Sequence, residues 1–215
     1  MREAVQLKFP EDEAVHRITQ LGLTPALLSA LGLGMLQAGA SAHPYGARSS
    51  AGYRRWDAGL AVFGEQLCPR NWRRELFEGL ELIINPGRTV AISVNSSDEN
   101  VGNLLRDPKA RFKRGATVVR RVANNANQGD FFRGFQKVKD EEPTFQLWML
   151  MHCTALGRLH LELGLPLAIE DDRRTITFSE RLPVGVFGFR NDDGGLAATP
   201  TPPFGLGPVI TILPR

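Results

Sequence analysis

Ser96-Ser97-Asp98-Glu99 follows a strand-like run, Val90 to Asn95, and carries the residue types most suited to catalysis. Carboxylates leaving the end of a strand are placed to hold Mg²⁺, and a nearby Lys109 would stabilise a phosphate under attack. This pattern describes a metal-dependent nuclease or phosphodiesterase using Asp98 and Glu99, with Mg²⁺ as the one cofactor implied. Against it, the common nuclease arrangement needs Glu-x-Lys on the next strand, and the chain contains no Glu-x-Lys. Short Ser/Asp/Asn loops also satisfy their own backbone without any ligand. No Gly-x-Ser-x-Gly elbow and no Walker loop is present.

The second concentration of chemistry is cationic. Arg106, Lys109, Arg111, Lys113, Arg114, Arg120 and Arg121 stand against the single acid Asp107. That is a net +6 over sixteen residues, twice the +3 of the whole chain. Phe112 and Gly115 interrupt the block, and the amides Asn124, Asn125, Asn127 and Gln128 follow it. A cationic loop of this kind can follow a phosphate backbone and release its counterions. The amides would add hydrogen bonds to bases or sugars. Tyr53-Arg54-Arg55-Trp56 and Trp72-Arg73-Arg74 set aromatic faces beside arginine, as single-stranded nucleic acid requires. The bases are 21 Arg and only five Lys, and Arg forms the planar, bidentate contacts that suit phosphate. An Arg-favouring genome would produce the same bias.

His152 and His160 form the third candidate group. Met149, Met151 and Cys153 make an apolar row on one run, and Leu159, Leu161 and Leu163 make one on the next. Placing both rows on one face pairs Cys153 with Leu159, Met151 with Leu161 and Met149 with Leu163. Residues 155–157 then form a three-residue loop, and His152 stands across from His160 with Glu162 diagonal. Two imidazoles and a carboxylate would suit a transition metal or a pH-sensitive pair. Cys68 and Cys153 show no zinc-type spacing, and each reads as a small hydrophobe more readily than as a disulfide partner.

These groups must be positioned by helices first and strands after. Residues 11–21 carry Val15, Ile18 and Leu21 at helical spacing. Thr24-Pro25 reads as an N-cap and first helical residue, opening an apolar helix to about Ala38 that would suit a protein partner. Gly32 and Gly34 within it predict close packing. Tyr53, Trp56, Leu60, Phe63 and Leu67 form a third helical stripe, ended by Pro69. Leu80–Ile84 and Thr89–Asn95 form a hairpin about Asn85-Pro86-Gly87-Arg88, expected as a type II turn with positive φ at Gly87. A long polar excursion, 96–143, holds a helix near 116–126. Strands at 145–154, 158–169 and 175–186 follow, then loops at 192–195 and 199–203 and an edge strand at 209–213.

The order predicts an α+β fold: an N-terminal helical part (1–77) packed on a mainly antiparallel sheet of about five strands (78–215), in one domain. Hydrophobic residues at 42% and charged residues at 23% are globular proportions. No apolar run approaches the ~20 residues that span a bilayer. With no apolar leader at residues 1–5, the expectation is a cytoplasmic protein away from membranes. The leading functional expectation is a non-catalytic protein associated with DNA or RNA, as an accessory subunit of a larger assembly. The alternatives are the nuclease and a protein–protein adaptor.

Overall fold

A computed structural model describes residues 3–8, 10–128 and 145–190. Strand β1 (Glu3–Lys8) precedes three helices, α1 (Asp12–Gln20), α2 (Pro25–Ala40) and α3 (Ser50–Leu67). A 3-10 turn, Cys68–Arg70, leads into β2 (Arg73–Phe77), β3 (Leu80–Ile84) and β4 (Val90–Ser96). Helix α4 (Ala116–Gln128) separates these from β5 (Gln146–Ala155), β6 (Arg158–Ile169) and β7 (Ile176–Arg190). The expected strand at 209–213 and the loops at 192–195 and 199–203 lie outside the described residues, as do the side chains of Asn127 and Gln128.

The class is α+β, with seven strands among the described residues where about five were expected. β1 and β2 add the two edges, in the order β1-β7-β6-β5-β4-β3-β2. Every pair is antiparallel except β4 with β5, which run parallel in the register Val90↔Gln146 to Ser96↔His152. A parallel pair needs a crossover rather than a hairpin, and the chain between β4 and β5 contains α4.

The sheet is covered on both faces. On one, Ile92, Val94, Trp148, Leu150, Leu159 and Leu161 pack with the apolar sides of α1, α2 and α3. On the other, Ala91, Leu147, Met149 and Met151 pack with Val118 and Val122 of α4 and with Val101 and Ala110 of the excursion. Thr24 caps α2 by accepting from the Leu27 amide, with Pro25 at the first position. Leu27, Leu28, Leu31, Met35 and Leu36 of α2 are buried within this chain, so the apolar residues that suggested a partner surface are core. Gly32 permits that packing. A Cβ there would lie 2.2 Å from the Phe187 ring of β7. No single helix among the described residues is long and apolar enough to cross a membrane.

Two local expectations are corrected. At 85–88 the positive φ belongs to Arg88 (52°), not Gly87. Asn85 fixes the turn through its side-chain oxygen, which accepts from the amides of Thr89 (2.8 Å) and Val90 (3.0 Å). The β5–β6 register is the larger correction. Cys153 pairs with His160, His152 with Leu161 and Leu150 with Leu163. The loop is therefore the two residues Leu156 (φ 47°) and Gly157 (φ 76°), both left-handed as in a type I′ turn. His152 and His160 fall on opposite faces and cannot form a joint metal site. The rule of one apolar and one polar row fails because both faces are interior: Trp148, Met149, Leu150 and Met151 are all fully buried.

Candidate anion-binding cleft

The parallel pairing of β4 and β5 brings their carboxyl ends, Ser96 and His152, side by side at one edge of the sheet. In open parallel α/β sheets ligands bind outside the carboxyl ends of the strands at a switch point, and this one parallel pair reproduces that geometry locally. The first part of the excursion, residues 97–114, folds back over these strand ends. Ser97 bridges Ala110. The Asp98 amide donates to Lys109 O (3.0 Å), and the Arg111 amide to Ser96 O (3.1 Å). The loop before β7 holds the other side, with the amides of Ala110 and Arg114 donating to Arg174 O and Arg173 O, each at 2.8 Å. Above the strand ends stands the first half of α3.

Two cavities of about 330 and 270 Å³ open there, and Gly52, Ser96 and Arg111 line both. The larger is walled by Tyr53, Trp56, Phe112 and Arg114. The smaller is walled by Arg55, Ser97, His152 and Arg174, with Asp98, Glu99 and Cys153 beside them. Together they form one cleft, aromatic at one end and cationic at the other.

Its electrostatics are unbalanced. Among the described residues no ion pair involves Arg55, Arg111, Arg114 or Arg174. The Nε atoms of Arg55 and Arg114 and the Ser97 hydroxyl are buried without a hydrogen-bond partner. Burial pulls the Arg114 guanidinium down to about 10. Arg55 is lowered by burial and then by its neighbour Arg111. Its guanidinium is seated against α2 at Gly39, where a Cβ would come within 2.3 Å of Nε. Arg174 alone has a strong internal partner, donating from Nε to Ala110 O at 3.0 Å.

His152 is buried at the floor, with Nε2 3.1 Å from the Ser96 hydroxyl. Burial, then Arg55 and Arg111, push it down to about 3. It is therefore a neutral imidazole at physiological pH, able to exchange one hydrogen bond with Ser96. The Cys153 thiol is pushed up to about 12 by burial and by Asp98, Glu99 and Glu162, which favours the neutral thiol over the thiolate.

The sequence candidates divide sharply. Arg111 and Arg114 line the cleft. Lys109 and Lys113 are exposed on the same loop. Arg106 is exposed, and its carbonyl accepts from Arg181 (2.9 Å). Arg120 pairs with Glu78 on the surface. Arg121 is buried, its guanidinium 4.2 Å from the Phe77 ring centroid and 5.3 Å from that of Phe145. Asn124 is half-buried, and Asn125 is fully engaged inside the fold. Asp98 turns its carboxylate inward, accepting from the amides of Asn100 (3.2 Å) and Lys109 (3.1 Å). Glu99 is exposed beside it. Among the described residues no group of three His, Cys, Asp or Glu side chains is placed to hold a metal ion. Arg174 and the Ser96–His152 pair were not singled out by the sequence reading. Arg173-Arg174 beside an acidic turn was the available signal for the first. The second depends on a parallel strand pairing between residues 56 positions apart.

Compared with known proteins, the chain matches no protein-family model, no curated sequence and no solved structure. The fold and cleft define it as an α+β protein with an arginine-rich cleft at the carboxyl ends of a parallel strand pair.

Proposed function

We propose that the protein binds nucleic acid without cleaving it, as an accessory component of a larger assembly, and that phosphate is held in the arginine cleft. The observation that carries this reading is the set of unneutralised guanidinium groups. Arg55 and Arg114 are largely desolvated, which is unfavourable for a charge that has no carboxylate partner, and Arg114 has only a long contact from Nη2 to Ser96 O at 3.5 Å. An anion supplied from outside would neutralise them, and phosphate matches the guanidinium fork. Exposed Lys109 and Lys113 on the adjoining loop would add attraction at longer range. Asp98 supports a structural role more than a catalytic one, because its carboxylate already accepts two backbone amides of its own loop.

The test is a gel shift with single- and double-stranded DNA and RNA, run with Mg²⁺ and with EDTA, beside a cleavage assay. The expected result is a shift without cleavage in both conditions, weakened in Arg111→Ala. Cleavage that needs Mg²⁺ and disappears in the Asp98→Asn, Glu99→Gln double variant would instead establish the nuclease. No shift with any of the four would reject nucleic acid as the ligand.

A further inference from the structure

We propose that the cleft takes a single nucleoside monophosphate unit, either free or as the phosphorylated end of a single strand, with the base in the aromatic lobe and the terminal phosphate among the arginines. The strand-end form rests on the nucleic-acid reading above, while the free-nucleotide form does not.

Size is the first argument. Cavities of about 330 and 270 Å³ lie at and just below the small end of ligand pockets, roughly 300–1,000 Å³. They admit a base and its phosphate but not a duplex. The division of chemistry is the second. Tyr53 and Trp56 lie with ring centroids 5.5 Å apart on α3, and Phe112 faces the same cavity from the excursion. Tyr53 and Phe112 are 66% and 64% exposed, unusual for large rings with no partner surface, and stacking on a base would cover them. Arg111 lines both cavities, so it stands where base and phosphate would join. The cationic lobe supplies the third argument. Arg55, Arg111, Ser97 and the Ser96–His152 pair surround the smaller cavity, with Arg114 entering from the larger one. A phosphate monoester presents three oxygens and up to two charges, against two free oxygens and one charge for a diester within a strand. Asp98 and Glu99 also line the smaller cavity, but among the described residues neither pairs with its arginines, and Asp98 already accepts from the Asn100 and Lys109 amides. Several arginines outside any ion pair match the doubly charged monoester better.

Trp56 provides the readout. It is half-buried at the cleft, whereas Trp72 and Trp148 are 6% and 0% exposed in the core. Tryptophan fluorescence would be titrated with adenosine 5′-monophosphate, adenosine, inorganic phosphate, and one short oligonucleotide carrying a 5′-phosphate, a 3′-phosphate or only hydroxyl ends. The expected results are quenching by the monophosphate at concentrations about tenfold or more below adenosine or phosphate, and about tenfold tighter binding of one phosphorylated oligonucleotide than of the hydroxyl-ended one. Arg111→Ala, an exposed position, should remove the advantage of the terminal phosphate. Trp56→Leu should remove the quenching and the preference for the nucleotide over phosphate.

Equal binding of all three oligonucleotides, without quenching by the monophosphate, would overturn this proposal and leave the nucleic-acid reading standing. Binding of the monophosphate with no oligonucleotide binding would do the reverse. Binding of none of the probes would overturn both.

Discussion

Asn125 uses both ends of its amide inside the fold: its nitrogen donates to the carbonyls of Leu147 (2.9 Å) and Pro166 (3.0 Å), and its oxygen accepts from the Leu147 amide (2.8 Å). It ties α4 to β5 and β6, and none of its polar atoms is left for a base. Asn125→Ala should therefore destabilise by about 2–4 kcal/mol, because buried backbone groups lose their partner. A loss of unfolding free energy in urea smaller than about 0.5 kcal/mol would contradict that role. His152 makes a second residue-scale prediction. Its folded pKa lies near 3, below the ordinary value of about 6.5. Between those values the unfolded chain binds a proton that the folded chain refuses, so stability is retained above pH ~6.5 and falls as pH drops below it. The slope for this one group approaches about 1.4 kcal/mol per pH unit. Comparing wild type with His152→Gln between pH 7 and 5, above most carboxylate titration, should show a flatter profile in the variant. Parallel profiles would mean that His152 is protonated in the folded state.

At the scale of elements, the β5–β6 hairpin turns through Leu156, a branched residue held at positive φ and 98% exposed. Left-handed backbone is unfavourable for such a side chain, and asparagine is preferred at that position of a type I′ turn. Leu156→Asn should raise stability by roughly 0.5–1 kcal/mol, read as a higher urea midpoint. A lower midpoint would speak against the two-residue loop. The same hairpin shows what the chain makes legible. The positions of β3 to β7 followed from apolar runs and turn residues, while the edge strands β1 and β2, short and half-exposed, did not stand out. Register did not, because alternation identifies a face only when the other face is wet. β5 lies in the middle of a sheet covered on both sides, so its residues are apolar without alternation. The basic excursion was legible as charge and only partly as architecture. Arg121 and Arg111 look alike in sequence, yet one lies across two phenylalanine rings and the other opens onto a cleft. What separates them is the position of each along α4 and the returning loop, set by contacts distant in sequence. Arg55 was visible between Tyr53 and Trp56, but its seat against Gly39 of α2 is a helix–helix contact.

At the scale of the molecule, one parallel pair in an otherwise antiparallel sheet decides where chemistry collects. β4 and β5 end side by side at the same end of the sheet, so the chain leaves both strands there, and α3 closes another side. A net charge of +3 is small, but the cleft concentrates arginines that no carboxylate of the described residues pairs with. One buried ionic group elsewhere is matched: Glu162, fully buried, accepts from Nε and Nη2 of Arg181 at 2.5 and 2.9 Å. The contrast between that paired site and the unpaired cleft is the central claim, and salt dependence measures it most directly. The affinity of a labelled single-stranded oligonucleotide should be followed by fluorescence anisotropy across salt concentrations, for wild type, Arg111→Ala and Arg106→Ala. The prediction is that log affinity falls linearly with log salt in wild type, that Arg111→Ala weakens binding and lowers the slope by about 0.7, one phosphate contact on a single strand, and that Arg106→Ala, outside the cleft, changes both less. Identical affinities and slopes for wild type and Arg111→Ala would contradict the claim that phosphate is held in the cleft.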